Sequence, residues 1–268
     1  MLDLDAPFYS VSEEQITFYR RNRFIKLKQV FSEEELTYFG KAITRKVIEM
    51  NTMHLPMEER DTYSKAFLQV MNLWREDDTV RQFVFSKRLA SIAAQLMEVD
   101  GVRLYHDQAL YKEPSGGYTP WHADQYYWPL ATDKTITAWI PLQATPLPMG
   151  PLEFSSESHT LASGRGLGIS DESEALIDDL LADQGFDHVV EPFDLGEVSF
   201  HSGWLYHRAG PNTTSNAREV MCVIYMDEAM TLKAPENENQ QADWDAWCPG
   251  ATIGEVIDTP LNPVLYHR

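Results

Sequence analysis

The sequence predicts a mainly β protein, a sandwich or barrel of short strands with helices on its N-terminal side. Three observations lead there. Stretches rich in β-branched and aromatic residues recur after Gly101, at 102–111, 135–142, 196–206 and 219–226. Turn clusters of Gly, Pro, Ser and Asn bound them, at 114–117, 146–151 and 210–216. Helical periods do not alternate with these strands as a parallel α/β sheet would require, and a single acidic amphipathic segment at 171–181 reads as an inserted helix.

Each element follows from local chemistry. Ser12-Glu13-Glu14-Gln15 is a capping box that opens a first helix, and Ser32-Glu33-Glu34-Glu35 opens a second. Between them Phe24, Ile25, Leu27 and Val30 suit a strand, with Lys26 and Lys28 on its polar side. From Thr62 to Met97 apolar residues recur at helical spacing: Phe67, Val70, Met71 and Trp74, then Val80, Phe83 and Val84, then Leu89, Ile92, Ala93 and Leu96. The Met and Trp of that stripe read as core packing. The character changes at Asp100-Gly101, where alternation begins. The stretch from Ala234 to Trp247, carrying Asn237, Asn239, Gln240 and Gln241, reads as a polar excursion or lid, and no internal repeat is visible. The organisation expected is a single domain over 1–268. Residues 1–100 form a mainly helical part packing on the barrel, 101–230 the strand core, and 231–268 a C-terminal extension or lid.

Composition limits the partners. A chain of 268 residues with 43% hydrophobic and 12% aromatic content can bury one large core. With 22 basic against 41 acidic residues the net charge is −19, which repels nucleic-acid phosphates and anionic membranes; neither is an expected partner. Cys222 and Cys248 are too few for a disulfide framework and fit no CxxC pattern, so they read as free thiols in a reducing compartment. Asn212-Thr213-Thr214 reads as a turn. Met1-Leu2-Asp3-Leu4-Asp5 lacks the basic and apolar regions of an export signal, and the run from Leu89 to Met97 is too short to span a bilayer. The expectation is a cytoplasmic protein acting on a small molecule; oligomeric state is not legible.

Two distant stretches carry chemistry. The first is Trp121-His122-Ala123-Asp124, and the second runs from His207 through Ala209-Gly210-Pro211-Asn212 to Arg218. Residues i and i+2 of a strand share a face about 6.5–7 Å apart, so His122 and Asp124 can address one cation from a strand end or the turn after it. With 8 histidines in the chain, chance supplies such a triplet in roughly half of similar sequences, so the triplet alone is a weak signal. The downstream half strengthens it. His207 is read as ending a strand, the Gly210-Pro211-Asn212 turn reverses the chain, and Arg218 begins an antiparallel neighbour that returns beside the metal. Two imidazoles and one carboxylate leave three octahedral positions free, enough for a chelating 2-oxo acid and O₂ on Fe(II). A planar, permanently charged guanidinium suits the distal carboxylate of 2-oxoglutarate better than lysine.

A family resemblance rests on several runs. They are Leu110-Tyr111-Lys112-Glu113-Pro114, Thr119 through Trp128, and Thr137-Ala138-Trp139-Ile140-Pro141-Leu142. Met149-Gly150-Pro151-Leu152-Glu153-Phe154, Ser158-His159, and Phe200-His201 through His207 to Arg218 complete them. In order and spacing they resemble the phytanoyl-CoA dioxygenase family over about residues 10–230. The resemblance implies a double-stranded β-helix, a cupin-like jelly roll with flanking helices. It implies that His122, Asp124 and His207 bind Fe(II) and that Arg218 binds the 5-carboxylate of 2-oxoglutarate. It implies also that Trp139 packs beside this cosubstrate and that Gln108 matches a polar position that contacts it. Two departures stand out: Ala123 replaces a Gln common within the triplet, and Ala209 replaces a small hydroxylic residue two places after the distal histidine.

The reaction expected is Fe(II)/2-oxoglutarate-dependent hydroxylation of a small organic metabolite by O₂, with release of succinate and CO₂. Asp124 favours hydroxylation over halogenation, since a halide needs the carboxylate's coordination position. Spacing does not separate hydroxylation from desaturation, epoxidation or ring formation, and an acidic chain offers no sign of a CoA-phosphate site. Two alternatives use the same ligands: a cupin-like isomerase or hydrolase without a 2-oxo acid, and a non-catalytic binding protein. Arg218 discriminates the first of these. His201 is read as lying in the same strand as His207, with Gly203 as a bulge between them, and is a rival ligand whose place in the family motif is not a ligating one. His106 reads as structural; Tyr126, Tyr127 and Trp128 read either as a pocket wall or as a core patch.

Overall fold

Ser12 and Ser32 close both capping boxes. Their side chains accept the N–H of Gln15 and Glu35, and those residues' side chains return to the serine N–H groups. This fixes helices α1 (Glu13–Asn22) and α2 (Glu33–Met50) on either side of strand β1 (Phe24–Leu27). The structure, a computed structural model, describes residues 2, 4, 5 and 8–268; Met1 and Asp3, on which the absence of an export signal was partly read, lie outside the described residues. Next come α3 (Thr62–Ala66), β2 (Leu68–Met71), α4 (Asp78–Val84) and α5 (Lys87–Met97). The strand region holds β3 (Gly101–Lys112), β4 (Thr119–His122), β5 (Thr135–Pro141) and β6 (Leu152–Ser155). It continues with α6 (Asp171–Gln184), β7 (His188–Val190), β8 (Val198–Ser202), β9 (His207–Ala209) and β10 (Arg218–Asp227). Helix α7 (Glu238–Trp247) and β11 (Val264–His267) end the chain.

The strands make the jelly roll that the sequence implied. Seven form an antiparallel sheet in the order β1-β8-β5-β10-β3-β11, with β2 on the same outer edge of β3 as β11. Four form the facing sheet, β4-β9-β6-β7. Strand alternation then builds two cores. Met221, Val223 and Tyr225 of β10 join Ile136, Ala138 and Ile140 of β5 beneath α2, α4 and α5. The intervening Val220, Cys222, Ile224 and Met226 face the other sheet with Trp139, Leu152 and Phe154. Because β10 is covered on both faces, 219–226 reads as a nearly continuous apolar run. Each large apolar side chain enclosed there contributes about 1.5–3 kcal/mol.

A register shift between Ile224 and Tyr225 leaves Tyr105 opposite no partner on β10. This bulge turns both Tyr105 and His106 inward. Asp107 faces the other way and accepts the N–H groups of Leu73 and Trp74.

Residues 67–72 are not helical. Leu68–Met71 pairs with Gln108–Tyr111, because the outer edge of β3 offers unsatisfied backbone groups and tertiary pairing outweighs local spacing. Val70 of β2 joins the core with Leu68 packed against it, and Trp74 is core as expected, whereas Gln69 and Met71 face the interior cavity with Phe67. The stretch 196–206 is not one strand either. β8 stops at Ser202 and the chain crosses between sheets through Gly203, so His207 opens β9 in the other sheet rather than ending the strand of His201.

Gly203 makes that crossing possible. Its carbonyl accepts the Gln125 N–H at 2.9 Å, and an added Cβ would stand 2.5 Å from Gln125 Oε1 and 2.6 Å from Thr135 Oγ1. Gly203→Ala is therefore expected to lower stability by about 1–3 kcal/mol, measured by denaturant unfolding, and to weaken metal binding by displacing the turn that carries Asp124.

Candidate metal centre

His122 is the last residue of β4, Asp124 opens the 3-10 turn that follows it, and His207 opens β9. Strands β4 and β9 are neighbours with His122 opposite His207, which brings the rings to a centroid distance of 4.2 Å. One ligand atom from each of the three residues lies within 4.8 Å of the others, the only such grouping of His, Cys, Asp and Glu among the described residues.

Hydrogen bonds fix which atoms are free. His122 Nδ1 meets Pro120 O at 2.8 Å and His207 Nδ1 meets Leu205 O at 3.0 Å. A carbonyl can only accept, so each Nδ1 carries the proton and each Nε2 presents a lone pair. Both Nε2 atoms lie 3.6 Å from Asp124 Oδ1. Burial holds both rings neutral: His122 is pushed down to about 4, with His207 adding in the same direction, and His207 likewise to about 4, with His201 adding. Burial opposes ionisation of Asp124, yet its histidine neighbours outweigh that and hold the carboxyl well below the usual range. Two neutral imidazoles and a carboxylate are the donor set that Fe(II) takes.

The other oxygen, Asp124 Oδ2, accepts from Thr137 Oγ1 at 3.1 Å and from His201 Nε2 at 3.3 Å. His201 thus spends its Nε2–H on the carboxylate, and its buried Nδ1 has no partner. It orients a ligand rather than competing as one. Thr137 and Trp139 alternate onto the same inner face of β5, a relation that period-two spacing could have revealed. Thr137→Val is expected to loosen Asp124 and reduce Fe(II) affinity about 10–100-fold, read by competition with a chromogenic chelator.

Arg218 arrives differently from the hairpin reading. β10 pairs with β3 and β5 and not with β9, so Arg218 reaches the cavity from the opposite sheet. Its guanidinium lies 5.4 Å from the Trp139 ring centroid, and Nη1 donates to Gly150 O. Gly150 sits at φ +69 after a 3-10 turn, and a Cβ there would collide with the Gly210 carbonyl, so glycine is required to present this acceptor. Arg218 is 2% exposed, its Nε has no partner, and among the described residues no carboxylate pairs with it. Burial without a counter-anion pulls it down to about 10. Lys112, opposite Arg218 in register, donates its Nζ to the carbonyls of Gly117 and Gly210 and is pushed down to about 6 by burial and then by Arg218. A buried guanidinium with an orphaned N–H fits a guest carboxylate.

His122, Asp124 and His207 line a cavity of about 240 Å³ between the sheets together with Thr137, Trp139, His201 and Arg218. Gln108 lines it too, with its Oε1 accepting from Gln69 Nε2 at 2.6 Å. Tyr127 and Trp128 form part of the wall while packing into the core as well, and Tyr126 does not line the cavity. Ala209 lines the cavity with Thr119 opposite it on β4, whose hydroxyl accepts from Lys112 Nζ at 3.4 Å. The stretch read as a polar excursion closes one side. Gln240 Nε2 of α7 donates to Tyr126 O at 3.0 Å, and Asp243 and Trp247 face the cavity. No local pattern announced them, because their role depends on where β3 and the Asp124 turn lie.

Comparison with known proteins agrees with this geometry. A sequence profile of the family described as Phytanoyl-CoA dioxygenase (PhyH) matches residues 19–220. A "Probable alpha-ketoglutarate-dependent hypophosphite dioxygenase" of Stutzerimonas stutzeri is 22% identical over 228 residues, 79% of this chain and 77% of that protein. The non-heme alpha ketoglutarate dependent carbocyclase SnoK from nogalamycin biosynthesis superposes with a TM-score of 0.77 at 25% identity, over 95% of this chain and 96% of its own. The epimerase SnoN, solved with Fe3+, alpha ketoglutarate and nogalamycin RO, superposes with a TM-score of 0.79 at 22% identity, over 95% of this chain and 98% of its own.

Proposed function

The chain belongs to the phytanoyl-CoA dioxygenase family and is an Fe(II)/2-oxoglutarate-dependent dioxygenase, and from that premise we propose that it hydroxylates an unactivated carbon of a small organic molecule. The observation that carries the reading is the convergence of His122, Asp124 and His207 with an unpaired, buried Arg218 in one cavity. His122 Nε2, His207 Nε2 and Asp124 Oδ1 would hold the iron, and Arg218 would grip the 5-carboxylate of 2-oxoglutarate beside Trp139. When bound, the iron supplies activation of O₂ coupled to oxidative decarboxylation of 2-oxoglutarate to succinate and CO₂.

The protein's share is positional. Pro120 O and Leu205 O keep both imidazoles in the ligating tautomer. Thr137 and His201 occupy Asp124 Oδ2, so that Oδ1 would be left free for the metal. Trp139, Leu152 and Cys222 make the surroundings of Arg218 dry, which strengthens its attraction for an anion. A hydrolase or isomerase using the same three ligands without a 2-oxo acid would leave that guanidinium buried and uncompensated. Among the described residues no helix is long and apolar enough to cross a membrane. The test is a screen of small organic molecules for succinate release above the uncoupled background. Stoichiometric succinate and a product heavier by one oxygen atom are expected; a product lacking two hydrogens instead would replace hydroxylation by desaturation.

A further inference from the structure

The cavity has two carboxylates, and the metal accounts for one. Among the described residues, the only acidic side chain lining it apart from Asp124 is Asp243 of α7, and the only lysine or arginine is Arg218. Asp243 Oδ2 accepts from Tyr105 OH at 3.0 Å, and among the described residues no lysine, arginine or histidine pairs with it. Tyr105 is turned inward by the bulge in β3, so the fold places a donor under this carboxylate. Aromatic rings surround the same region: Trp247 packs on His106 at 5.1 Å, and Tyr63, Phe67, Tyr127 and Trp128 complete the wall.

Charge balance gives the arrangement a meaning, and this step rests on the function proposed above. Fe(II) and a 2-oxoglutarate dianion, held by Asp124 and Arg218, bring that part of the cavity to neutrality. Asp243 alone is left over. A half-buried carboxylate without a counter-ion is costly unless a ligand brings one. Aromatic faces around it attract organic cations as well.

We propose that Asp243, with the aromatic wall around it, is a substrate-binding residue that selects a protonated amine or related organic ammonium group. Burial pushes the Asp243 carboxyl up to about 7, with hydrogen bonds from Tyr105 and Trp247 opposing and Asp124 adding. An ammonium group docked against it would restore the ionised form. The Tyr105 hydroxyl orients the carboxylate, and the amine end of the substrate is thereby fixed at α7 while its carbon skeleton extends toward the iron ligands.

The experiment uses the anaerobic Fe(II)–2-oxoglutarate holoenzyme and three probes of equal length: pentylammonium, 1-pentanol and pentanoate. Binding is read as perturbation of the visible iron–2-oxoglutarate absorption band. Pentylammonium is expected to perturb the band and to bind at least about tenfold more tightly than the alcohol, with pentanoate weakest. Asp243→Asn is expected to erase that preference while the unperturbed band still forms. Asp243→Glu is expected to retain it in part, which separates charge recognition from a merely structural role. Equal or absent binding of all three probes to a holoenzyme with a normal band would overturn the proposal, as would an unchanged preference in Asp243→Asn. Failure of the band itself in the unaltered protein would instead overturn the iron–2-oxoglutarate reading.

Discussion

Asp124→Ala is expected to abolish turnover and to lower Fe(II) affinity by at least about 100-fold, with the fold retained. The size of the effect follows from the geometry. Oδ1 of Asp124 is the atom common to both imidazoles, 3.6 Å from each Nε2. Removing it leaves two neutral ligands in a buried place, with no negative charge to offset a dication. Thr137 Oγ1 and His201 Nε2 lose their acceptor as well. Metal content after desalting and succinate formation are the readouts, with far-UV circular dichroism confirming the fold. Retention of a full equivalent of iron would contradict the assignment of Asp124.

Arg218→Ala gives the second large effect, and its two parts have opposite signs. Loss of a buried, charge-assisted contact should weaken 2-oxoglutarate binding by about 3 kcal/mol, roughly 100-fold. Arg218→Lys should recover little of it, since an ammonium cannot reproduce the planar fork. Stability without ligands should move the other way or not at all. The guanidinium is buried, has an orphaned Nε and lacks a carboxylate partner, so removing it relieves a desolvation cost. Iron binding should survive, because β10 carries no ligand. Measured KM for 2-oxoglutarate, denaturant midpoints of the ligand-free protein and iron stoichiometry separate the three claims.

The legible parts of the site were those encoded within short spans. His122 and Asp124 sit two residues apart, so strand geometry alone put them on one cation. The capping boxes at Ser12 and Ser32 were equally local and fixed both helices. What depended on sheet assignment was not legible. His201 and His207 looked like one strand because only five residues separate them, with Trp204, Leu205 and Tyr206 among them; only Gly203's crowded surroundings reveal that the chain changes sheet there. Arg218 was placed in the right cavity by the wrong route, because a tight turn after His207 resembles a hairpin although β10 belongs to the opposite sheet. Gln69 and Met71 were hidden by a helical spacing that the edge of β3 overrides. Asp243 and Trp247 had no signal at all, since a helix of low amphipathicity becomes a cavity wall only through its bonds to Tyr126.

Anaerobic titration of the metal-free protein with Fe(II) and 2-oxoglutarate tests the central claim most directly. One iron and one 2-oxoglutarate should bind per chain, and a visible charge-transfer band should appear only when both are present. Asp124→Ala should lose the band for want of iron, and Arg218→Ala should need roughly 100-fold more 2-oxoglutarate to develop it. A band that never forms in iron-loaded protein, or 2-oxoglutarate binding indifferent to both substitutions, would contradict the account.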